Sequence, residues 1–152
     1  MNAMNFVHDP GVKPPAAMEL GRGADGVVCE VLEHAELVVK EMNHPFKLGR
    51  NRVALEIRIL HAVLEATGGR GATRVFNHGI DTSEYSWLVR ERVFDVDPRG
   101  TQADRAALIA IILRIHPSAD VNLLMLPDPT FDNVRWGYTA ADSEPRWILI
   151  DP

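Results

Sequence analysis

The sequence predicts an α+β domain, and three observations carry that expectation. Short β-branched runs such as Val27–Leu32 and Glu36–Lys40 recur along the chain. Two stretches of helical character, from Asn51 and from Thr101, separate them. The length of 152 residues, 46% of them hydrophobic and 24% charged, suffices for one modest globular core and not for two. The same arithmetic excludes several classes. A net charge of -5 argues against a nucleic-acid partner held by bulk phosphate attraction. No apolar run approaches the roughly 18 residues that span a bilayer, so no membrane span is expected. Cys29 is the single cysteine, which leaves no internal disulfide. The opening stretch MNAMNFVHDPGVKPPAAM lacks the charged and apolar regions of a Sec-type signal peptide.

Residues 1–17 read as an extended, flexible leader, because Pro10, Gly11, Pro14 and Pro15 break any helix. The runs 27–32 and 36–40 then form an antiparallel hairpin joined at His34-Ala35 and preceded by a glycine-rich turn. A helix is expected from an Asn51 N-cap to about Thr67, with Gly68-Gly69 as its stop. Val53, Ile57, Leu60 and Leu64 give it one apolar stripe. Arg74–Ile80 and Tyr85–Phe94 read as two further strands around Asp81-Thr82-Ser83. Thr101 with Asp104 resembles a capping box that opens a second helix to about Ile115. That helix is apolar nearly all round, so burial is expected for it. Val121–Leu126, a Pro-Asp-Pro turn, and strands 133–136 and 147–151 follow, with a polar hairpin tip over 139–145. That hairpin should return the chain antiparallel to strand 133–136.

Gly21-Arg22-Gly23-Ala24-Asp25-Gly26-Val27-Val28 fits G-x-G-x-x-G-x-V, a spelling in which backbone amides approach phosphate oxygens without side-chain clash. A dinucleotide site would need a helix straight after it, and here a valine-rich strand follows. A glycine-rich hairpin with no ligand remains the plain alternative. Lys40 shares a strand face with Val38, as a solvated strand lysine also would. Glu56 falls inside the apolar arc of its helix, where a carboxylate must be paired or shift its pKa. Lys40 is the nearest upstream cation, so a Lys40–Glu56 ion pair is expected. Asp128 and Asn133 stand five apart on a proline-kinked loop, and Asp151 ends an apolar strand. Oxygen ligands so few in number suit Mg²⁺, and Asn133 and Asp151 should converge on one ion. Each of the three, taken singly, also suits a turn. The six histidines show no paired zinc spacing, and no G-x-S-x-G or cysteine–histidine signature occurs.

Glycine loop, strand lysine, helix glutamate, D-x-x-x-x-N and a terminal-strand aspartate follow one another in the order of the protein-kinase motif set. The chain resembles that family over residues of about 18 to 151. Leu37-Val38-Val39-Lys40 looks like the lysine strand, and Glu56–Leu60 like the middle of the αC helix. Trp87–Val93 looks like the strand entering the hinge. Leu126–Asn133 looks like the catalytic loop, and Ile150-Asp151-Pro152 like the start of D-F-G. The resemblance implies a kinase small lobe of about 18–94, an antiparallel sheet plus an αC-type helix, and a strongly reduced large lobe of about 95–152. It implies ATP and Mg as cofactors. Gly21, Gly23, Gly26, Val28, Val38, Lys40, Glu91 and Val93 would bind the nucleotide, and Asn133 and Asp151 the metal. Asp128, Lys40 and Glu56 would be the catalytic set. Departures are clear as well: Leu126 and Pro127 hold the catalytic-loop histidine and arginine positions, and the activation loop is absent. Small kinases delivered into host cells by Gram-negative pathogens as type III effectors are similarly pared down, with a hinge-strand arginine comparable to Arg90.

The reading that follows is a minimal Ser/Thr kinase acting on a host protein, cytoplasmic in the producing bacterium and secreted into the host cytoplasm, with room for a host activating factor. The alternatives are a pseudokinase acting as a partner-binding module and a small-molecule phosphotransferase. The second is suggested by Leu149-Ile150-Asp151 and disfavoured by the missing large lobe.

Overall fold

The computed structural model describes residues 10–23, 26–43, 48–82, 85–97, 102–117 and 134–150. In chain order the elements are β1 (Ala16–Gly23), β2 (Gly26–Val31), β3 (His34–Asn43), α1 (Leu48–Ala66), β4 (Val75–Thr82), β5 (Tyr85–Glu91), β6 (Phe94–Asp95), α2 (Gln102–Ile115), β7 (Val134–Thr139) and β8 (Asp142–Leu149). The chain is α+β with antiparallel sheets. It divides into two compact units, residues 1–55 with 75–92 and residues 56–74 with 93–152.

The first unit holds a five-stranded sheet in the order β1-β2-β3-β5-β4. Alternation along its strands sends Val31, Leu37, Val39, Trp87 and Val89 to one face, where they form a buried cluster with Cys29 and Phe76 packed against it. Trp87 is 1% exposed and lies opposite Gly79, where a Cβ would stand 2.7 Å from the indole Cζ2. Glycine there lets the large ring lie over the neighbouring strand. Residues 10–15 cross this same face as a strap. The Gly11 amide donates to Asn77 Oδ1 at 3.2 Å, and Asn77 Nδ2 donates to the Val12 carbonyl at 3.4 Å. Lys13 pairs with Glu41, Pro14 is buried, and the Leu32 amide donates to the Pro15 carbonyl at 2.9 Å. The stretch read as leader is therefore anchored to the sheet from Gly11 onward. At the outer edge, β1 carries one more residue than β2 both between Ala16 and Glu19 and between Glu19 and Gly21, two irregularities within six residues.

The second unit holds the sheet β6-β7-β8. Segment 71–73 runs beside β8: the Leu149 amide donates to the Gly71 carbonyl at 2.8 Å, and the Thr73 amide to the Leu149 carbonyl at 3.1 Å. Trp136 and Trp147, cross-strand partners, meet edge to face at 5.5 Å, and the Arg105 guanidinium lies 5.2 Å from the Trp147 ring.

Several elements differ from the sequence expectation. The β2–β3 turn is Leu32-Glu33 rather than His34-Ala35, because Val31 pairs with His34 and Glu33 takes the left-handed turn conformation (φ 67°). The glycines Gly21 and Gly23 lie within β1, and Gly26 opens β2, so the motif is mostly strand rather than turn. Helix α1 begins at Leu48, which places Asn51 inside the helix and not at its cap. Its stop is as expected: Gly68 and Gly69 have φ of 65° and 86°, and the Gly69 amide reaches back to the Leu64 carbonyl at 2.8 Å. Its buried stripe is Val53, Glu56, Ile59, Leu60 and Val63, rotated from the expected one, with Ile57 and Leu64 only half-buried. Run 85–94 is two strands, since Phe94-Asp95 leaves the first sheet to pair with β7. Helix α2 is not buried all round: Ala103, Ala106, Ala107 and Ala110 are exposed, because alanine has little surface to hide. Its expected cap Thr101 lies outside the described residues, as does 121–126. The tip expected over 139–145 shrinks to Ala140-Ala141, with Thr139 paired to Asp142. Pro145 is tolerated in β8 because that strand is at the sheet edge. The return of β8 antiparallel to β7 is as expected.

Candidate functional site

The site is built by cross-strand register. Gly21 on β1 pairs with Val28 on β2, Val28 with Lys40 on β3, and Lys40 with Leu88 on β5. Cross-strand partners point to the same side of a sheet. Gly21, Val28, Lys40 and Leu88 thus make one transverse row on the face opposite the core cluster. Gly23 pairs with Gly26 and Gly26 with Met42, two positions along from Lys40, which adds both glycines to the same face. Val38, two residues before Lys40, lies there too. Six of the residues singled out for nucleotide binding are therefore gathered on one face of one sheet.

The glycines differ in what they do for the protein. A Cβ on Gly26 would collide with the Glu41 carbonyl oxygen, so this glycine is needed for β2 to approach β3. A Cβ on Gly21 would meet nothing within 4 Å. Packing within the chain gives no reason for glycine at 21, whereas a ligand drawn close to the backbone would. Lys40 is half-buried on this face, flanked along β3 by Val38 and Met42, each 2% exposed. A lysine stem in such surroundings is packed while its ammonium can reach the row of glycines.

The other candidates are placed as follows. Glu56 is 6% exposed in the buried stripe of α1, in keeping with its place in the apolar arc. Glu91 is 5% exposed and pairs with Leu37, which assigns it to the face of the core cluster, and its carbonyl accepts from Arg90 Nη1 at 3.1 Å. Val93 is half-buried between β5 and β6. Asp128, Asn133 and Asp151 lie outside the described residues. Among the described residues, no group of three His, Cys, Asp or Glu side chains is placed to hold a metal ion. No described helix is long and apolar enough to cross a membrane.

Leu88 and Arg90 complete the Lys40 face, and sequence reasoning did not single out Leu88. Leu88 is fully buried and Arg90 is 5% exposed. Period-two counting finds the partners of Lys40 on its own strand, but only the β3–β5 register finds those across it.

A clear electrostatic shift lies in the second unit. The Asp142 carboxyl is held below its ordinary range, first because it accepts from the Glu144 amide at 3.0 Å. The Arg70, Arg146 and Arg74 charges lower it further, against a desolvation effect in the other direction.

No protein-family model matches the chain, and no curated protein matches it in sequence. Among solved structures, that of vaccinia related kinase 3 is similar, with a TM-score of 0.45 and 12% identity. The match covers 74% of this chain and 44% of that one, so the chain spans less than half of that kinase's length.

Proposed function

We propose that the chain is a minimal ATP- and Mg-dependent protein kinase that transfers the γ-phosphoryl group to a Ser or Thr hydroxyl of a host protein. The observation that carries this reading is the row Gly21–Val28–Lys40, with Gly23 and Gly26 on the same face. It offers main-chain amides and a cation to the phosphates of one nucleotide, with open space above Gly21.

The residues take the following roles in the proposal. Gly21, Gly23 and Gly26 let the backbone approach the triphosphate, and Val28 and Val38 supply apolar surface near it. Lys40 neutralises phosphate charge, and Glu56 is the carboxylate expected to partner it. Glu91 and Val93 mark the segment that receives the base. In sequence Asn133 immediately precedes β7 and Asp151 is the second residue after β8, and these two would hold Mg²⁺. When bound, that ion neutralises charge on the β- and γ-phosphates. Asp128 orients the acceptor hydroxyl and takes its proton as the new O–P bond forms and the β–γ bridging bond breaks, ADP leaving with the bridging oxygen. Such a transfer is mainly positioning and charge stabilisation, for which this set suffices.

In this reading, binding energy remote from the reacting atoms supplies the positioning of the acceptor hydroxyl. A folded host protein should therefore be phosphorylated far better than short Ser/Thr peptides. The resemblance to small kinases delivered as type III effectors, with Arg90 as the comparable hinge-strand arginine, supports an effector secreted into the host cytoplasm, with a host activating factor as a further partner.

The test incubates the full chain with radiolabelled ATP, Mg²⁺ and host lysate, alongside thermal shift with ATP·Mg. A labelled host protein together with a shift supports the kinase. A shift with no transfer replaces it by a pseudokinase, the reading that Leu126 and Pro127 in the catalytic-loop positions favour. Transfer only to a small molecule replaces it by a small-molecule phosphotransferase.

A further inference from the structure

We propose that residues 10–15 are a positioning strap for the phosphate-facing side of the sheet, with Lys13 acting through Glu41. The proposal rests on the reading that the Gly21–Lys40 face receives a nucleotide. Three features carry it.

The strap runs from one edge of the sheet to the other. It starts at Asn77 on β4, one edge of the sheet, and ends where Ala16 opens β1, the other edge. Four interstrand spacings separate those edges, about 19 Å. The chain turns at Gly11, whose φ is 75°, and then runs on from Val12 to Pro15. Pro14 and Pro15 favour extended backbone, so the sequence supplies the conformation the span demands.

Its anchors are fixed at both ends. The Asn77 side chain, 7% exposed, treats Gly11 and Val12 as a neighbouring strand would, accepting from one and donating to the next. The Pro15 carbonyl accepts from the Leu32 amide at the far end. Between those anchors the side-chain tether is Lys13 to Glu41.

Glu41 in turn touches the proposed site from behind. It follows Lys40 on β3 with its side chain on the opposite face, by its pairing with Trp87. Its carbonyl oxygen is the atom that a Cβ at Gly26 would strike. The side chain of Glu41 is thus held by the strap while its main chain bears on the last glycine of the motif and on Lys40. Freeing Lys13 lets this stretch of β3 shift, and both groups shift with it, although the strap itself lies on the far side of the sheet from the nucleotide.

An ion pair with side chains 25% and 35% exposed contributes little to global stability. Binding and local opening therefore separate a positioning role from a merely structural one. The test compares the full chain with K13A and with the charge-exchanged double variant K13E/E41K. Readouts are KM for ATP against kcat, ATP·Mg-induced thermal shift, and amide hydrogen exchange at Gly26–Val28 and Glu41–Met42. K13A should raise KM for ATP about fivefold to tenfold, change kcat less than twofold, leave the ligand-free Tm within about 2 °C, and speed exchange at those amides. The double variant should recover both KM and exchange. Unchanged KM and exchange in K13A overturn the proposal, as does a folded double variant that recovers neither. If the unsubstituted chain gives no ATP shift, the nucleotide reading falls on its own; exchange in K13A still decides whether strap and glycine strand are coupled, and unaltered exchange removes the strap as well.

Discussion

The two sheets of this protein treat a basic side chain in opposite ways. In the second unit Arg146 is buried among oxygens of its own chain. Its Nε donates to the Arg70 carbonyl at 2.9 Å, its Nη1 to the Asp142 and Glu144 carbonyls at 3.1 Å, and its Nη2 to Thr139 Oγ1 at 3.4 Å. It ties the β7–β8 hairpin to the segment after α1. In the first unit Lys40 sits half-buried in a row with Gly21, Val28 and Leu88, beside open space at the glycine. A planar fork of donors suits a cation that fastens a chain, and a single flexible ammonium suits one that meets a mobile phosphate. The difference separates a cation fixed by architecture from the one that the proposed function assigns to chemistry.

That contrast can be broken by substitution. Lys40→Met should cut phosphoryl transfer by at least a hundredfold, about 2.7 kcal/mol in barrier, and leave the fold intact. Retained transfer would remove Lys40 from the chemistry. Arg146→Ala should do the reverse, lowering stability by about 3 kcal/mol because four donor contacts vanish and carbonyls are left buried. Denaturant unfolding measures it, and a loss under about 1 kcal/mol would show that water replaces the guanidinium without penalty.

A smaller effect sharpens the packing side of the comparison. Gly79→Ala should cost about 1–3 kcal/mol, since the new methyl meets the Trp87 indole at 2.7 Å. Intrinsic Trp fluorescence should shift with it, reporting the displaced ring. The smallest effect belongs to Asp142. Its folded pKa is held below the ordinary 3.8, so its stabilising contribution is complete above that value and is lost as pH falls through the folded one. Asp142→Asn should therefore lower stability slightly near pH 7, where the carboxylate's contribution is complete, and flatten the acid limb of the stability curve below about pH 4. An unchanged acid limb would show that the neighbouring arginines do not act on this carboxyl.

Much of the architecture was legible in the residues because it follows from alternation and punctuation. The β-branched runs, the Gly68-Gly69 stop and the return of β8 along β7 are all local signals. The place of Glu56 in a buried helical stripe was legible from its angular position alone. Misplacements arose where tertiary pairing outvotes local chemistry. Asn51 has a capping side chain, yet the helix extends three residues upstream of it to Leu48. Val93 and Phe94 continue a β-branched run, yet Phe94 is recruited by Tyr138 on another sheet. The convergence of the motif on one face could be suspected from spacing, but the row itself depends on β-sheet register, which bulges in β1 shift by a residue at a time. The strap was illegible for a related reason: prolines announce extended backbone and say nothing of where it lies.

The irregular register of β1 has a consequence for solution behaviour. This strand is a sheet edge, and it exposes Met18 at 61%. A regular edge of eight residues would present a template on which another chain could grow a strand and begin to aggregate. The two extra residues interrupt the spacing of its outward amides and carbonyls, so no straight incoming strand can match them for more than a few bonds. The same segment that carries Gly21 thus also carries the irregularity that disfavours strand addition at this edge.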